Sequence, residues 1–241
     1  FPKLRFRTEE ALERAFFKRR ENYRETLLRS SKEMVSIVDI KALSDNLIRT
    51  IGKALAIEKV SLLLNNETNA GYHLEASMGL NLLQPERVVL PKQGPLSKLL
   101  QSRREAIVKE ELEWVPVGPE TPQTIQTMND LGAEISLPIM SKGRLIGILN
   151  LGHKEDKTIY SNEDLELLST LANQAAIAIE NARLYENLKQ SQDTLRRADR
   201  LSSLGLLTAG LAHEIRNPLV AIRTFTQLLP ERYNDAEFRE G

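Results

Sequence analysis

Leu137-Pro138-Ile139, Gly143-Arg144-Leu145-Ile146-Gly147-Ile148-Leu149 and Leu171-Ala172-Asn173-Gln174-Ala175-Ala176-Ile177-Ala178-Ile179-Glu180-Asn181-Ala182 decide how this chain folds. The first two lie in apolar runs of strand length, 134–140 and 144–151, joined through Ser141-Lys142-Gly143. Gly143 supplies the positive φ that a tight hairpin needs. The third run repeats its apolar residues at helical steps. Ser161-Asn162-Glu163-Asp164 caps that helix, which by its pattern continues far beyond the end of an ordinary domain.

Upstream, from residue 40 onward, helices and strands alternate. Asp39 or Ser44 caps a helix whose Leu47, Ile48, Ile51 and Leu55 form one face. Residues 59–64 and 72–77 read as a strand pair around Asn65-Asn66-Glu67-Thr68-Asn69-Ala70-Gly71. Pro95 opens a short helix through about residue 103, and 106–108 form the core of another strand. Residues 111–132, with Trp114, Pro116, Pro119 and Pro122, read as a loop. It either closes over a pocket or makes a long surface excursion anchored by Trp114.

From 39 to 184 the pattern resembles a GAF domain, most strongly in its last part. The resemblance implies an α+β fold: an antiparallel sheet flanked by helices, with a ligand pocket on one face. Such domains take cyclic nucleotides, tetrapyrroles, haem or other small molecules. The Asn-Lys-Phe-Asp-Glu set usual for cyclic nucleotides is not matched, because 150–164 offers Lys154, Tyr160 and Glu163-Asp164 in a different arrangement. His73 and His153 are the candidate haem ligands, against an ordinary surface or loop role for each. The ligand of this domain is unknown from sequence.

Composition narrows the function classes. Of 241 residues 41% are hydrophobic, enough for one compact domain plus long helices. Lys plus Arg and Asp plus Glu balance at 33 each, so no global basic field draws in nucleic acid. The absence of cysteine excludes disulfides, thiolate metal sites and a thioether-linked bilin, and fits a reducing compartment. No apolar stretch approaches the ~20 residues needed to cross a bilayer, which fits a cytoplasmic segment. Phe1-Pro2-Lys3-Leu4-Arg5-Phe6-Arg7 resembles the juxtamembrane stretch that follows the membrane region of some kinases. It fits either the flank of a membrane-spanning region upstream of residue 1, in a parent anchored in the inner membrane, or an ordinary solvated arm.

Helical pattern extends outward on both sides. Over residues 8–38, within the segment 1–38, Leu12, Phe16, Tyr23, Leu27, Met34 and Ile37 recur at helical steps. This stripe serves a signalling helix paired with a second copy, or packs on its own domain. In the linker 185–200, apolar residues fall at Leu188, Leu195 and Ala198. A second register follows at Leu201, Leu204, Thr208, Leu211, Ile215, Pro218, Ile222, Phe225 and Leu229, stepping by threes and fours as a coiled-coil seam does. Consecutive three-residue steps between Ala198 and Leu204 make a stammer, an overwound spot where rotation can be stored. Gly205 and Gly210 soften the helix by about 1 kcal/mol each, Pro218 predicts a kink, and Pro230 predicts a break before a second helix near 235–239.

Leu211-Ala212-His213-Glu214-Ile215-Arg216-Asn217-Pro218-Leu219 lies inside that seam. Its seven residues His-Glu-Ile-Arg-Asn-Pro-Leu resemble the H-box of two-component sensor histidine kinases, so 201–241 reads as a truncated HisKA dimerisation and phosphoacceptor segment. His213 falls off the seam and so points to solvent. The resemblance implies that His213 takes phosphate from ATP with Mg, held by an ATP-binding domain absent from these residues, and passes it to the aspartate of a response-regulator receiver domain. It assigns Glu214 the proton of the imidazole and Asn217 the water that hydrolyses the partner's aspartyl phosphate. Arg216 either steadies a phosphate or is solvated. A homodimer is expected. The alternative is a non-catalytic GAF ligand-binding and dimerisation module.

Overall fold

The computed structural model describes residues 36–65, 71–80 and 88–232 together with Leu27, Arg29 and Met34; the side chains at 202–214 and 229–232 are not among those described. Most of the expected helix over 8–38 and the start of the second hairpin helix at 235–239 lie outside the described residues. Leu27 and Met34 are fully buried in the domain core, and the chain has left the helix by Ile37. At these two positions the stripe packs on its own domain.

The described elements are α1 (Ile40–Leu55), β1 (Val60–Asn65), β2 (Gly71–Met78), β3 (Val89–Pro91), α2 (Pro95–Arg103), β4 (Ile107–Val108), α3 (Lys109–Trp114), α4 (Thr121–Asp130), β5 (Ile135–Ser141), β6 (Arg144–Leu151) and α5 (Asn162–Arg232). The strands make one antiparallel sheet in the order β3-β2-β1-β6-β5-β4, so the first and last long strands lie side by side at its centre. The fold is α+β, as the resemblance implied.

Sequence sets both sheet faces by alternation. Val60, Leu62 and Leu64 share one face with Leu149 and Leu151, and they pack beneath α1 and the first turns of α5. Leu63, Leu145 and Ile148 face the other way, under α2, α3 and α4. A strand buried on both faces reads as a continuous apolar run, which is why β1 and β6 are almost wholly apolar. Asp39, not Ser44, caps α1: its Oδ1 accepts from Ala42 N at 2.7 Å. Ser44 lies inside the helix, buried.

The β5–β6 hairpin turns on two residues with positive φ, Lys142 at 49° and Gly143 at 76°. That is the twist a two-residue hairpin prefers. The expected loop over 111–132 is instead largely helical, as α3 and α4. Pro122 is tolerated in the first turn of α4, where its missing N–H is unneeded, and Thr121, Thr124 and Met128 bury its inner face. Helix α5 also continues two residues beyond Pro230, where a break was expected. A proline ring disturbs only the preceding turn, and later N–H groups still find carbonyls four residues back.

The chain divides into two compact units, Phe1–Glu186 and Asn187–Gly241. Among the described residues no helix is long and apolar enough to cross a membrane.

Candidate phosphoacceptor site and sensor pocket

Backbone at His213, Glu214, Arg216, Asn217 and Pro218 is helical, within α5. The side chains of His213 and Glu214 lie outside the described residues. Helical geometry alone sets Asn217 about 40° round from His213 and one turn on, so the two residues share a face. Arg216 and Asn217 are exposed, as is every described side chain from Ile215 to Leu228. Ile215, Leu219, Ile222 and Phe225 are each more than half exposed despite being large and apolar. Thr224 satisfies itself locally, its Oγ1 donating to Val220 O at 2.9 Å. The same openness holds for every described side chain from Leu184 to Leu201.

The first unit has the opposite character. Its central polar residues bond one another: Ser136 Oγ donates to Asn150 Oδ1 at 2.7 Å, and Asn150 Nδ2 donates to Ser61 Oγ at 3.2 Å. All three are buried on adjacent strands β5, β6 and β1, level with one another in register. The sequence reading missed this ladder. Its signal was one small polar residue inside each of three apolar strands, at Val60-Ser61-Leu62, Ile135-Ser136-Leu137 and Leu149-Asn150-Leu151.

A second polar group anchors the start of α5. Lys154 Nζ meets Asp164 Oδ2 at 2.7 Å, with both side chains largely buried. The same carboxylate accepts from Ser161 N at 2.9 Å while Ser161 Oγ accepts from Asp164 N at 3.3 Å, a reciprocal cap. Tyr160 donates to Gly152 O at 2.6 Å, and its ring lies 4.9 Å from Lys154 Nζ. Burial pushes the Tyr160 phenol well above its usual range, and the Asp164 and Glu134 carboxylates add to the shift. Sequence placed Lys154, Tyr160 and Asp164 apart; the fold brings them together, while Asn150 belongs to the sheet ladder.

Beside this anchor, a pocket of about 190 Å³ is lined by Val108, Glu134, His153, Lys157 and Tyr160. Glu134 lies 3.0 Å from His153 Nε2 and 2.5 Å from Lys109 Nζ, so it has a partner on each side. A neighbouring groove of about 520 Å³ runs past Trp114, Val115, Ile159 and Leu165. Trp114 is 80% exposed and anchors nothing. A third cleft, about 370 Å³, separates α2 from α4, with Lys98 and Glu120 3.4 Å apart on its rim. Of the candidate haem ligands, His153 is a loop residue paired with Glu134, whereas His73 sits on β2 with its Nε2 enclosed. Among the described residues no cluster of His, Asp or Glu is arranged to hold a metal ion.

Two family models match: the GAF domain over residues 38–180 and the His Kinase A (phospho-acceptor) domain over 203–240. The signal transduction histidine-protein kinase AtoS of Escherichia coli is 46% identical over 52 residues, covering 22% of this chain and 9% of that protein. The formate hydrogenlyase transcriptional activator of Salmonella typhimurium is 24% identical over 179 residues, 73% of this chain and 26% of that protein. The chain therefore spans about a quarter or less of either relative's length. Among solved structures, the GAF domain of a phosphoenolpyruvate-protein phosphotransferase from Coxiella burnetii matches at 23% identity and TM-score 0.54, covering 69% of this chain and 98% of that one.

Proposed function

This chain belongs to the GAF domain family, and we propose that it is the sensory and phosphoacceptor part of a two-component sensor histidine kinase. The observation that carries the reading is the His213–Leu219 run, set on a helix and inside the His Kinase A match at 203–240. Residues 39–184 form the sensor, 185–200 the linker, and 201–241 the first part of the dimerisation and phosphoacceptor hairpin. A change in the sensor biases the linker register at 198–205, and so alters how an ATP-binding domain reaches His213.

The chemistry follows from the residue types. Neutral imidazole is a competent nucleophile near neutral pH because its ordinary pKa is close to 6.5. One ring nitrogen of His213 attacks the γ-phosphorus of ATP, ADP leaves, and the proton on the other nitrogen passes to Glu214. The phosphoryl group then moves to a receiver-domain aspartate. Asn217, on the same face, orients water for hydrolysis of that aspartyl phosphate to the free carboxylate and inorganic phosphate; an amide does this without competing as a base. Mg-bound ATP is the substrate, held by a catalytic domain supplied by the parent protein. The pockets beside Tyr160 and between α2 and α4 are the places to look for the sensor's ligand.

One observation favours a second reading, a GAF ligand-binding and dimerisation module without catalysis. The longer of the two similarities reported above is to a transcriptional activator, not to a kinase. The test is incubation with γ-labelled ATP of the protein extended through its downstream catalytic domain, beside its His213→Gln version. Acid-labile, alkali-stable label that the substitution abolishes supports the kinase. Absence of label from an extended protein that binds ATP supports the module, and label retained by the mutant removes His213 from the role.

A further inference from the structure

Helix α3, Lys109-Glu110-Glu111-Leu112-Glu113-Trp114, buries Leu112 and leaves its three glutamates and Trp114 exposed. One turn sets Glu110 beside Trp114 and Glu111 beside Val115. Trp114 is the only tryptophan of the chain, and a side chain of that size is ordinarily well buried. Here it stands 80% exposed, Val115 next to it 71%, and Ile159, from the segment that leads into α5, 76%. All three line the groove of about 520 Å³, with Val108 and Leu112. Apolar surface gathered in this way marks a face that another protein covers, and tryptophan is among the side chains that dominate such contacts.

Charge narrows the choice of partner. Of the charged residues lining the groove, Glu110 and Glu111 are carboxylates and Arg103 is a cation. Glu113 adds a third exposed carboxylate on α3. Among the described residues neither Glu110 nor Glu111 enters an ion pair. Glu134, in the adjoining pocket, already has Lys109 and His153 beside it. An acid-rimmed apolar groove repels an anionic bilayer or an acidic segment and attracts lysine or arginine. A cation drawn to Glu110 comes to rest one helical turn from the Trp114 ring, and an indole face itself attracts cations.

We propose that this groove is the docking site of a partner protein, entered by a segment that places large apolar side chains next to lysine or arginine. Trp114, Val115 and Ile159 take the apolar side chains, and Glu110 and Glu111 take the charges. Tyr160, Asn162 and Leu165 line the same groove, so the bound segment touches the residues that open α5. The contact lies wholly on the first unit and needs neither His213 nor ATP. Docking and phosphotransfer can therefore fail independently.

A single tryptophan makes the test site-specific. The full chain is titrated with a synthetic, tryptophan-free peptide of leucine and lysine set at helical spacing, and Trp114 emission is followed. The emission is expected to move to shorter wavelength, saturably, as the ring leaves water. A peptide with glutamate in place of lysine is expected to bind at least about tenfold more weakly. Glu110→Gln with Glu111→Gln is expected to weaken the lysine peptide roughly fivefold, and Ile159→Ser roughly tenfold. All three side chains are exposed, so the fold is expected to survive both changes. No shift with the lysine peptide, an equal shift with the glutamate peptide, or unchanged affinity after both substitutions overturns the proposal. A shift produced by raising the protein's own concentration, without peptide, gives the groove to a second copy and overturns it as well.

Discussion

The sensor domain and the long arm of α5 beyond it solve the same problem in opposite ways. In the sensor, apolar residues are closed over on both sheet faces, and the buried polar groups of Ser61, Ser136 and Asn150 answer one another. Along the arm, Leu188, Leu195, Leu201, Ile215, Leu219 and Ile222 are all more than half exposed. A domain that meets its own needs folds on its own account; a helix that leaves its seam open depends on a partner. Under the proposed function, His213 stands on the second kind of structure, so a second copy sets its surroundings and the first unit can adjust them.

The largest effect is expected from breaking the arm. Leu188→Asp with Leu195→Asp removes apolar contact in both copies, at least about 3 kcal/mol and so roughly a hundredfold or more in the dimer dissociation constant. Sedimentation equilibrium reads that loss; an unchanged dissociation constant would mean that these leucines do not lie in the seam.

Next in size is Asp164→Asn, which acts on the sensor alone. It leaves the largely buried Lys154 ammonium without its counter-charge at the head of α5. Removing one partner of such a pair costs about 3 kcal/mol, a drop on the order of 10 °C in melting temperature for a domain of this size. Thermal denaturation checks the drop, and association through the arm is expected to persist below the new transition.

The smallest effect concerns pH. Tyr160 is held neutral in the folded state, with its phenol raised above the ordinary value of 10.0. In the unfolded chain it ionises first, so its contribution to stability is present below about pH 10 and fades as pH rises beyond that. Tyr160→Phe is expected to flatten the fall in stability above pH 10, measured by denaturant unfolding across that range. An unchanged slope would assign the fall to other groups.

How far sequence carried the reading also differs between the two regions. Strands β1, β2, β4, β5 and β6, the β5–β6 hairpin and α2 were legible because alternation, a turn glycine and a first-turn proline are local signals, whereas the three-residue β3 was not read. The helices α3 and α4 were not. They are short, rich in Glu, Gln and Thr, and neither has a side-chain cap, so the prolines around them read as loop. The Lys154–Asp164 pair was hidden for another reason: its members are ten positions apart across mostly irregular chain, and only the tertiary fold closes that gap. The arm needed no tertiary information, since its heptads and the His213 run are written along a single helix. The roles of His213, Glu214 and Asn217 came from resemblance, and spacing alone supplied only their shared face.

The most direct test of this contrast is amide hydrogen exchange followed by mass spectrometry at protein concentrations spanning dimer dissociation. Backbone amides of the sensor strands β1, β5 and β6 are expected to show the same protection at every concentration. Amides of 187–232 are expected to gain protection as concentration rises, because their helix is completed by a second copy. Equal protection of the arm at all concentrations would contradict the account, since it would mean that the helix stands without a partner.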